Sequence, residues 1–377
     1  MTKFYDFIIS GAGLSGVLAA HLLKNLGLSY YIFDKSSEAC VDFRTSAISC
    51  ESVRFFETLG LWQMMESFAV PINDIYTFQE KSGSFLHFEG DNAALDFSMS
   101  YVVPNLVLQD VLYKGIDINY GCAYKNVCHS HDRVRVDFPD KVIEGRYMLV
   151  AEGRYSNTAG LLGFKMIRSS YRQSCIICNL RSTGREHSNV AVELFLEGGP
   201  FALLPLRKGT EFSLIWTVKF PFGDTLAKID EKEFLAEVQK ISDIEFEKIL
   251  TPRMVYPIVL NFCMNPRKGP VMLIGDSAHG IHPVAGQGFN LAIYDLKDLH
   301  DVLNKYGLDN FDELADAYLK RRKRSALAMV AFTHFLVKSF SCASPSLRAA
   351  RSFVLDVIES STRLKRFFME RAAGKGL

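Results

Sequence analysis

The 377-residue chain lacks most features that settle a protein's class at a glance. Charge of one sign is missing. Its 43 Lys and Arg stand against 42 Asp and Glu, for a net charge of +1, so no global field draws it to nucleic acid or to an acidic partner. No apolar run reaches the length of a membrane span. The opening Phe4-Tyr5-Asp6-Phe7-Ile8-Ile9 carries an acid and no cleavage-type ending, and reads as a strand rather than a signal peptide. Eight cysteines are scattered, and only Cys175 and Cys178 form a CxxC, with no second pair or His pair at zinc spacing. Ordinary buried thiols in a reducing cytosol fit that pattern. Internal repeats, low-complexity tracts and Pro/Gly-rich linkers are also absent. With 48% hydrophobic and 23% charged residues the chain is an ordinary globular protein. Its length suggests about two domains, and without a linker these must be interleaved rather than strung together.

Residues 4–34 read as strand, glycine turn, helix and strand. Leu14, Val17, Leu18 and Leu22 fall at helical spacing, Gly27 is a helix stop, and Tyr30-Tyr31-Ile32-Phe33 has the apolar run of a buried parallel strand. Residues 45–69 have helical apolar spacing, 74–103 turn strand-like, and 106–114 read helical. Strands are expected at 134–138 and 142–150. The stretch 170–262 is strand-rich, interrupted by one amphipathic helix over roughly 231–249. Val271-Met272-Leu273-Ile274 is another buried strand, and helices are expected from about 287 to the end. A glycine-loop α/β domain thus returns three times, with a β-rich domain spliced between its pieces.

Three motifs carry chemistry. Gly11-x-Gly13-x-x-Gly16 stands between a strand and a helix. The first glycine permits a tight turn, the second lets backbone approach a pyrophosphate, and the third lets helix pack on strand, with the helix N-terminus attracting phosphate charge. Asp34 ends the next strand, where a carboxylate can accept ribose hydroxyls. This specifies a dinucleotide without separating FAD from NAD. The second motif is Gly275-Asp276-Ser277-Ala278-His279-x-x-His282-Pro283-x-x-Gly286-Gln287-Gly288-Phe289-Asn290. Asp276 ends a strand, and Gly286 and Gly288 let backbone amides approach a ring or phosphate at a helix start. The HxxH pair lacks a third ligand, so no metal is expected. The third motif is Ala151-Glu152-Gly153-Arg154-x-Ser156, which taken alone is an ordinary strand-to-turn exit.

In this order and spread the motifs resemble the class A flavoprotein monooxygenases, and the fuller stretches resemble their ubiquinone-biosynthesis branch. The similar segments are Arg44-Thr45-Ser46-Ala47-Ile48-Ser49, Leu59-Gly60-Leu61-Trp62, Val102-Val103-Pro104-Asn105-Leu106-Val107-Leu108, Gly199-Pro200-Phe201-Ala202-Leu203-Leu204-Pro205, His282 through Leu291, and Tyr318-Leu319-Lys320-Arg321-Arg322. The resemblance implies a Rossmann-like FAD-binding domain (1–73, 104–168 and 264–325). It implies an interleaved β-rich substrate domain like that of para-hydroxybenzoate hydroxylase (74–103 and 169–263), and a C-terminal helical region (326–377). It implies that Gly11, Gly13, Leu14, Ser15, Gly16, Asp34 and Lys35 serve the ADP half of FAD. Arg44, Asn105, Gln109, Glu152, Gly153, Gly275, Asp276, Pro283, Gly286, Gln287, Gly288, Phe289 and Asn290 would serve the remainder. Departures from the family pattern stand at Glu152, Ala159, Leu194, Ala292, Tyr294 and Arg324.

The implied chemistry is flavin-centred, with no catalytic side chain assigned. NADH or NADPH reduces FAD, and O2 is carried as a C4a-hydroperoxide that attacks an electron-rich phenol. Phe195, Phe201, Leu204, Trp216 and Pro283 are candidate substrate contacts, each of which can equally be plain sheet or loop core. A polyprenylated phenol would need an apolar tunnel. The basic cluster Lys320-Arg321-Arg322-Lys323-Arg324 and the apolar, Arg-rich 347–371 suggest either a solvated packed helix or peripheral contact with the inner membrane by an otherwise cytoplasmic protein. A multienzyme ubiquinone-synthesis complex is the expected protein partner. A hydroxylase of a small soluble aromatic, with a closed polar pocket, and a non-catalytic scaffold that keeps the fold remain open alternatives.

Overall fold

In the computed structural model, which describes residues 3–80, 83–89, 99–340 and 344–374, the first strand Lys3–Ser10 lies at the centre of an eight-stranded sheet. Val142–Val150 and Tyr30–Phe33 flank it in parallel, and Val271–Leu273 and Ile118–Asn119 extend the parallel set outward. The last four residues of Lys3–Ser10 are fully buried, as expected of a parallel strand covered on both faces. Helices Leu14–Asn25 and Gly288–Tyr306 pack one face through Val17, Leu18, Leu22, Ile293, Leu296 and Leu299. The meander Asn126–His129 and Val134–Asp137 helps cover the other, with Val134, Val136 and Phe138 against Ile8 and Met148.

A second eight-stranded sheet holds Phe246–Ile249, Met166–Ser182, Glu211–Lys219, Gly199–Pro205, Val190–Leu196, Asp74–Gln79 and Phe85–Glu89 in that order, with Met254–Cys263 paired to Met166–Ser182. Its back face packs on helices Phe222–Lys228 and Glu231–Ser242 through Phe201, Trp216, Leu226 and Phe234. A three-stranded sheet, Thr45–Ser49, Ser100–Pro104 and Val70–Ile72, joins the two halves. Three helices, Phe311–Phe340, Pro345–Ser360 and Thr362–Ala372, complete the chain.

Several local readings are corrected. Thr45–Ser49 is strand, not helix, because Ser100–Pro104 offers it a full ladder, and tertiary pairing overrides weak propensity. The helix expected over 231–249 stops at Ser242. Asp243 takes a left-handed φ of 55° and Phe246–Ile249 turns back as an edge strand. The helix Phe222–Lys228 was not foreseen. The expected division at 325/326 falls inside one continuous helix, Phe311–Phe340.

Candidate functional site

The glycine loop follows directly from the first strand. Gly11 has φ +98°, and a Cβ there would lie 2.5 Å from the Ala151 carbonyl oxygen. A Cβ on Gly16 would land on the Gly11 carbonyl. These two positions are glycine because protein backbone passes through the space a side chain would take. Gly13 differs: beyond the adjoining chain no protein atom lies within 4 Å of its Cβ position, and it caps the helix Leu14–Asn25 with no side-chain hydrogen bond. The first-turn amides of that helix therefore lack a side-chain cap and face a cavity lined by Gly13, Leu14 and Ser15. Asp34 stands beside them. One carboxylate oxygen accepts the Ala12 amide at 2.7 Å and the other the Ser36 amide at 2.8 Å. A carboxylate offers about four lone-pair sites, so acceptor capacity remains on the cavity side.

A polar hub follows. Arg44 donates through Nε and Nη2 to Asp42 at 2.8 and 2.7 Å and lies over the Tyr256 ring, 5.4 Å from its centroid. Burial opposes both charges. For each it is outweighed by the other's opposite charge, which holds the Asp42 carboxyl below and the Arg44 guanidinium above its ordinary value. Asn105 donates to Asp42 at 2.8 Å and accepts from Ser46 at 2.7 Å. Gln109 accepts the Asp42 amide at 3.1 Å and donates to the Cys40 carbonyl at 2.6 Å. The two amides thus tie residues 40–46 to the start of helix Asn105–Leu112.

The far wall is built on Gly275–Asn290. Gly275 has φ +57°, and its Cβ would meet Ser15 Oγ at 3.0 Å, so this turn lies directly against the first helix. Asp276 accepts from Arg154 Nε at 2.9 Å, while Arg154 also donates to the Ile281 carbonyl at 3.0 Å. Below them Asp295 is fully buried. It accepts from Arg322 Nε at 2.8 Å and the Gly275 amide at 2.9 Å, and pairs with His279 Nε2 at 2.8 Å. Burial opposes its charge, but His279 and Arg322 hold its carboxyl below the ordinary range. Asn290 donates to the Ala47 carbonyl at 2.8 Å and accepts the Ser49 amide at 3.0 Å, and Tyr294 meets Ser49 Oγ at 2.6 Å. One helix, Gly288–Tyr306, therefore fixes both the Gly275 turn and the Thr45–Ser49 strand.

Of these groups, Gly13, Ser15, Asp34, Asp42, Arg44, Ser46, Asn105, Gln109, Arg154, Asp276 and Asn290 line one cavity of about 1370 Å3, and the Asp295–Arg322–His279 cluster stands behind its wall. Ligand pockets usually measure about 300–1,000 Å3, so this one has room for a dinucleotide and a second molecule. Away from the glycine loop its walls are apolar. Ala202, Leu204 and Ile215 come from the second sheet, Pro283 and Val284 from the 283–286 turn, and Phe332 from the C-terminal helices. Phe195 stacks on Phe340 with centroids 4.0 Å apart and closes the wall between sheet and helix.

A family model described as "FAD binding domain" matches residues 5–333. The chain belongs to this FAD-binding family. Over 390 aligned residues it is 30% identical to the ubiquinone hydroxylase UbiL of Rhodospirillum rubrum, covering 99% of this chain and 90% of that protein. It is 26% identical to the 3-demethoxyubiquinol 3-hydroxylase of Escherichia coli, covering 97% of each. The fold matches that of Klebsiella pneumoniae HpxO complexed with FAD and uric acid, with a TM-score of 0.78 and 20% identity over 98% of this chain and 96% of that one.

The wall residues suit FAD. Gly13, Gly153 and Gly288 border the cavity, and beyond the adjoining chain no protein atom lies within 4 Å of a Cβ position, so each leaves bare backbone that a phosphate or ring could approach closely. Of the residues expected at the site, Leu14, Ser15, Asp34, Arg44, Asn105, Gln109, Asp276, Pro283, Gly286, Gln287, Phe289 and Asn290 also line it. Gly11, Gly16 and Gly275 stand behind it and shape its turns. Lys35 is exposed and off the wall. Glu152 also lies off the wall. Its carboxylate accepts from Ser10, Tyr124, Ser156 and the Thr158 hydroxyl and amide, so it clamps strands to the Asn157–Leu161 helix rather than facing a ligand. Phe201 and Trp216 are corrected too. They pair across the strands with their side chains on the Phe234 face, opposite the cavity. Arg154, Asp42 and the Asp295–Arg322–His279 cluster were missed. The last left a signal in sequence: Asp295 stands four residues from Leu291 and Leu299 on an apolar helix stripe, and a charge there needs a buried partner.

Proposed function

We propose that the protein is an FAD-dependent monooxygenase that hydroxylates the ring of a polyprenylated phenol in ubiquinone biosynthesis, with NADH or NADPH as reductant and O2 as co-substrate. The observation that carries this reading is the apolar continuation of the cavity from the Asp276 wall, past Leu204 and Phe195, to the C-terminal helices. A small carboxylated aromatic would call for a closed pocket with an available arginine, and among the described residues the three arginines that line the cavity are engaged: Arg44 held bidentate by Asp42, Arg154 by Asp276 and the Ile281 carbonyl, and Arg351 by the Ser339 carbonyl. FAD, when bound, supplies the activation of O2 that ring hydroxylation requires. The protein's part is placement. Gly13, Ser15 and Asp34 would hold the adenosine diphosphate half. Asp276, kept in place by Arg154, would hold the chain between phosphate and ring, and the 286–290 backbone would hold the ring. Ala202, Leu204, Ile215 and Phe195 would keep the phenol dry beside it and exclude water.

The relatives' names support the pathway, and the cavity supports the lipid-tailed class. Among the described residues no helix is long and apolar enough to cross a membrane. The test is complementation of hydroxylase-deficient cells, with mass spectrometry of the quinone precursors. The purified yellow protein should also oxidise NAD(P)H faster when a prenylated phenol is added. A colourless protein that binds no added FAD and restores no precursor would sink the reading.

A further inference from the structure

The cavity opens among the C-terminal helices, and its rim has an unusual composition. Phe335 (68% exposed), Val354 (52%) and Phe367 (51%) border the cavity while facing solvent, as do Phe332 and Leu347. Phe353, 69% exposed, stands just outside. These side chains come from three helices, Phe311–Phe340, Pro345–Ser360 and Thr362–Ala372, so the apolar rim is a joint surface rather than the stripe of one helix. Contiguous exposed aromatics of this kind mark an interaction site.

The charges around the rim identify the partner. Lys338, Arg363 and Arg366 are exposed, each within a helical turn of Phe335 or Phe367. Among the described residues of 345–374, Asp356 is the exposed acid. The other charged groups of Pro345–Ser360 are engaged inward. Arg348 pairs with Glu197 at 2.8 Å, and Glu359 accepts the His87 amide at 2.8 Å. These contacts hold the helix on the edge strand Phe85–Glu89, with Leu355 buried beside Phe195 and Val284, and leave its Phe353–Val354 side facing out. A second copy on this face would set Lys338, Arg363 and Arg366 against their own kind and would stopper the cavity. An anionic bilayer satisfies both halves of the pattern, aromatics in the headgroup–acyl boundary and basic residues at the phosphates.

We propose that this rim is a membrane-docking mouth, which seats Phe335, Phe353 and Phe367 in an anionic lipid surface and lets a lipid-tailed substrate pass from bilayer to cavity without crossing water. The inference rests on the lipid-tailed substrate reading above.

The experiment uses the full-length FAD-loaded protein in flotation with phosphatidylcholine vesicles, with and without phosphatidylglycerol. Binding is expected only with phosphatidylglycerol and should weaken as salt rises. The double variant Arg363→Gln/Arg366→Gln should bind about thirtyfold more weakly, and Phe353→Ser should bind more weakly at any salt, both with wild-type melting temperature and FAD content. With a water-soluble short-tailed phenol the double variant should oxidise NAD(P)H as the wild type does. With a long-tailed phenol embedded in the vesicles it should fall behind. No flotation of the wild type overturns the proposal, as does binding that the variants leave unchanged or a concentration-dependent dimer abolished by Phe353→Ser. Salt-sensitive flotation without phenol-stimulated oxidation would keep the docking surface and reject the hydroxylase reading, so the two fail separately.

Discussion

Three glycines within six residues do different work, and substitution should separate them. At Gly16 a methyl collides with the Gly11 carbonyl, so Gly16→Ala should lower the stability of the apoprotein and its FAD content together. At Gly13 a side chain meets only cavity. Gly13→Val should leave apoprotein melting within about 1 kcal/mol of wild type while FAD affinity, read by fluorescence titration, falls at least about tenfold. Equal thermal damage from both would show that the space beside Gly13 does not belong to a ligand. The glycine spacing was legible in sequence because the strand–turn–helix pattern around it is local, although the backbone that Gly11 abuts, at Ala151, is not. Glu152 was misread for the opposite reason. Its partners Ser10 and Tyr124 come from distant segments, and nothing in the local motif says whether the carboxylate points toward a ligand or into the protein.

His282 gives a pH prediction at the same scale. It is fully buried, and burial together with the Arg154 charge lowers its imidazole from 6.5 to about 3. Between those values the unfolded chain binds a proton that the native protein refuses, so stability falls as pH is lowered through this window. The slope from this group approaches about 1.4 kcal/mol per pH unit. Denaturant unfolding should show that His282→Asn is less stable near neutrality yet flatter between roughly pH 6 and 5. An unchanged slope would mean the imidazole is already charged in the native state.

At the scale of the element, the strand Gly199–Pro205 shows how alternation assigns roles. Phe201 pairs with Trp216 on the Phe234 face, whereas Ala202 pairs with Ile215 and Leu204 with Ser213 on the cavity face. Successive side chains must point oppositely, so the candidate set Phe201, Leu204 and Trp216 could not all have shared one pocket. The period was readable, but which face met the substrate was not. Both faces are apolar, and the helix covering the back comes from residues 231–242. Phe201→Ala should therefore cost about 3–5 kcal/mol of stability with little change in substrate KM. Leu204→Ala should cost less stability and raise KM for a prenylated phenol. The assignment of faces fails if the two variants exchange these signatures. Thr45–Ser49 illustrates the same limit. Its composition allows helix, and only the partner strand Ser100–Pro104, more than fifty residues on, makes it a strand.

At the scale of the whole molecule, the nucleotide half was legible and the channel was not. The glycine loop, Asp34 and the 275–290 run each announce themselves within a short window. The channel is assembled from strands Asp74–Gln79 and Phe85–Glu89, strands between 190 and 217, the 283–286 turn and three terminal helices, and no window contains more than one wall. Its existence predicts how rate should depend on tail length. Each methylene that leaves water for an apolar wall contributes about 0.8 kcal/mol, so kcat/KM for a series of prenylated phenols should climb with each isoprene unit until the tail reaches the rim. Beyond that point added units meet no further wall, and the curve should level. Ala350, exposed at the rim on the cavity-lining side of Pro345–Ser360, is the position to challenge this. Ala350→Trp narrows the mouth far from the glycine loop, so FAD content should hold and the shortest phenols should keep their rate, while the gain from longer tails shrinks. A series in which kcat/KM is indifferent to tail length in the wild type would mean that the apolar walls do not hold the tail, and the channel would have to be assigned another occupant.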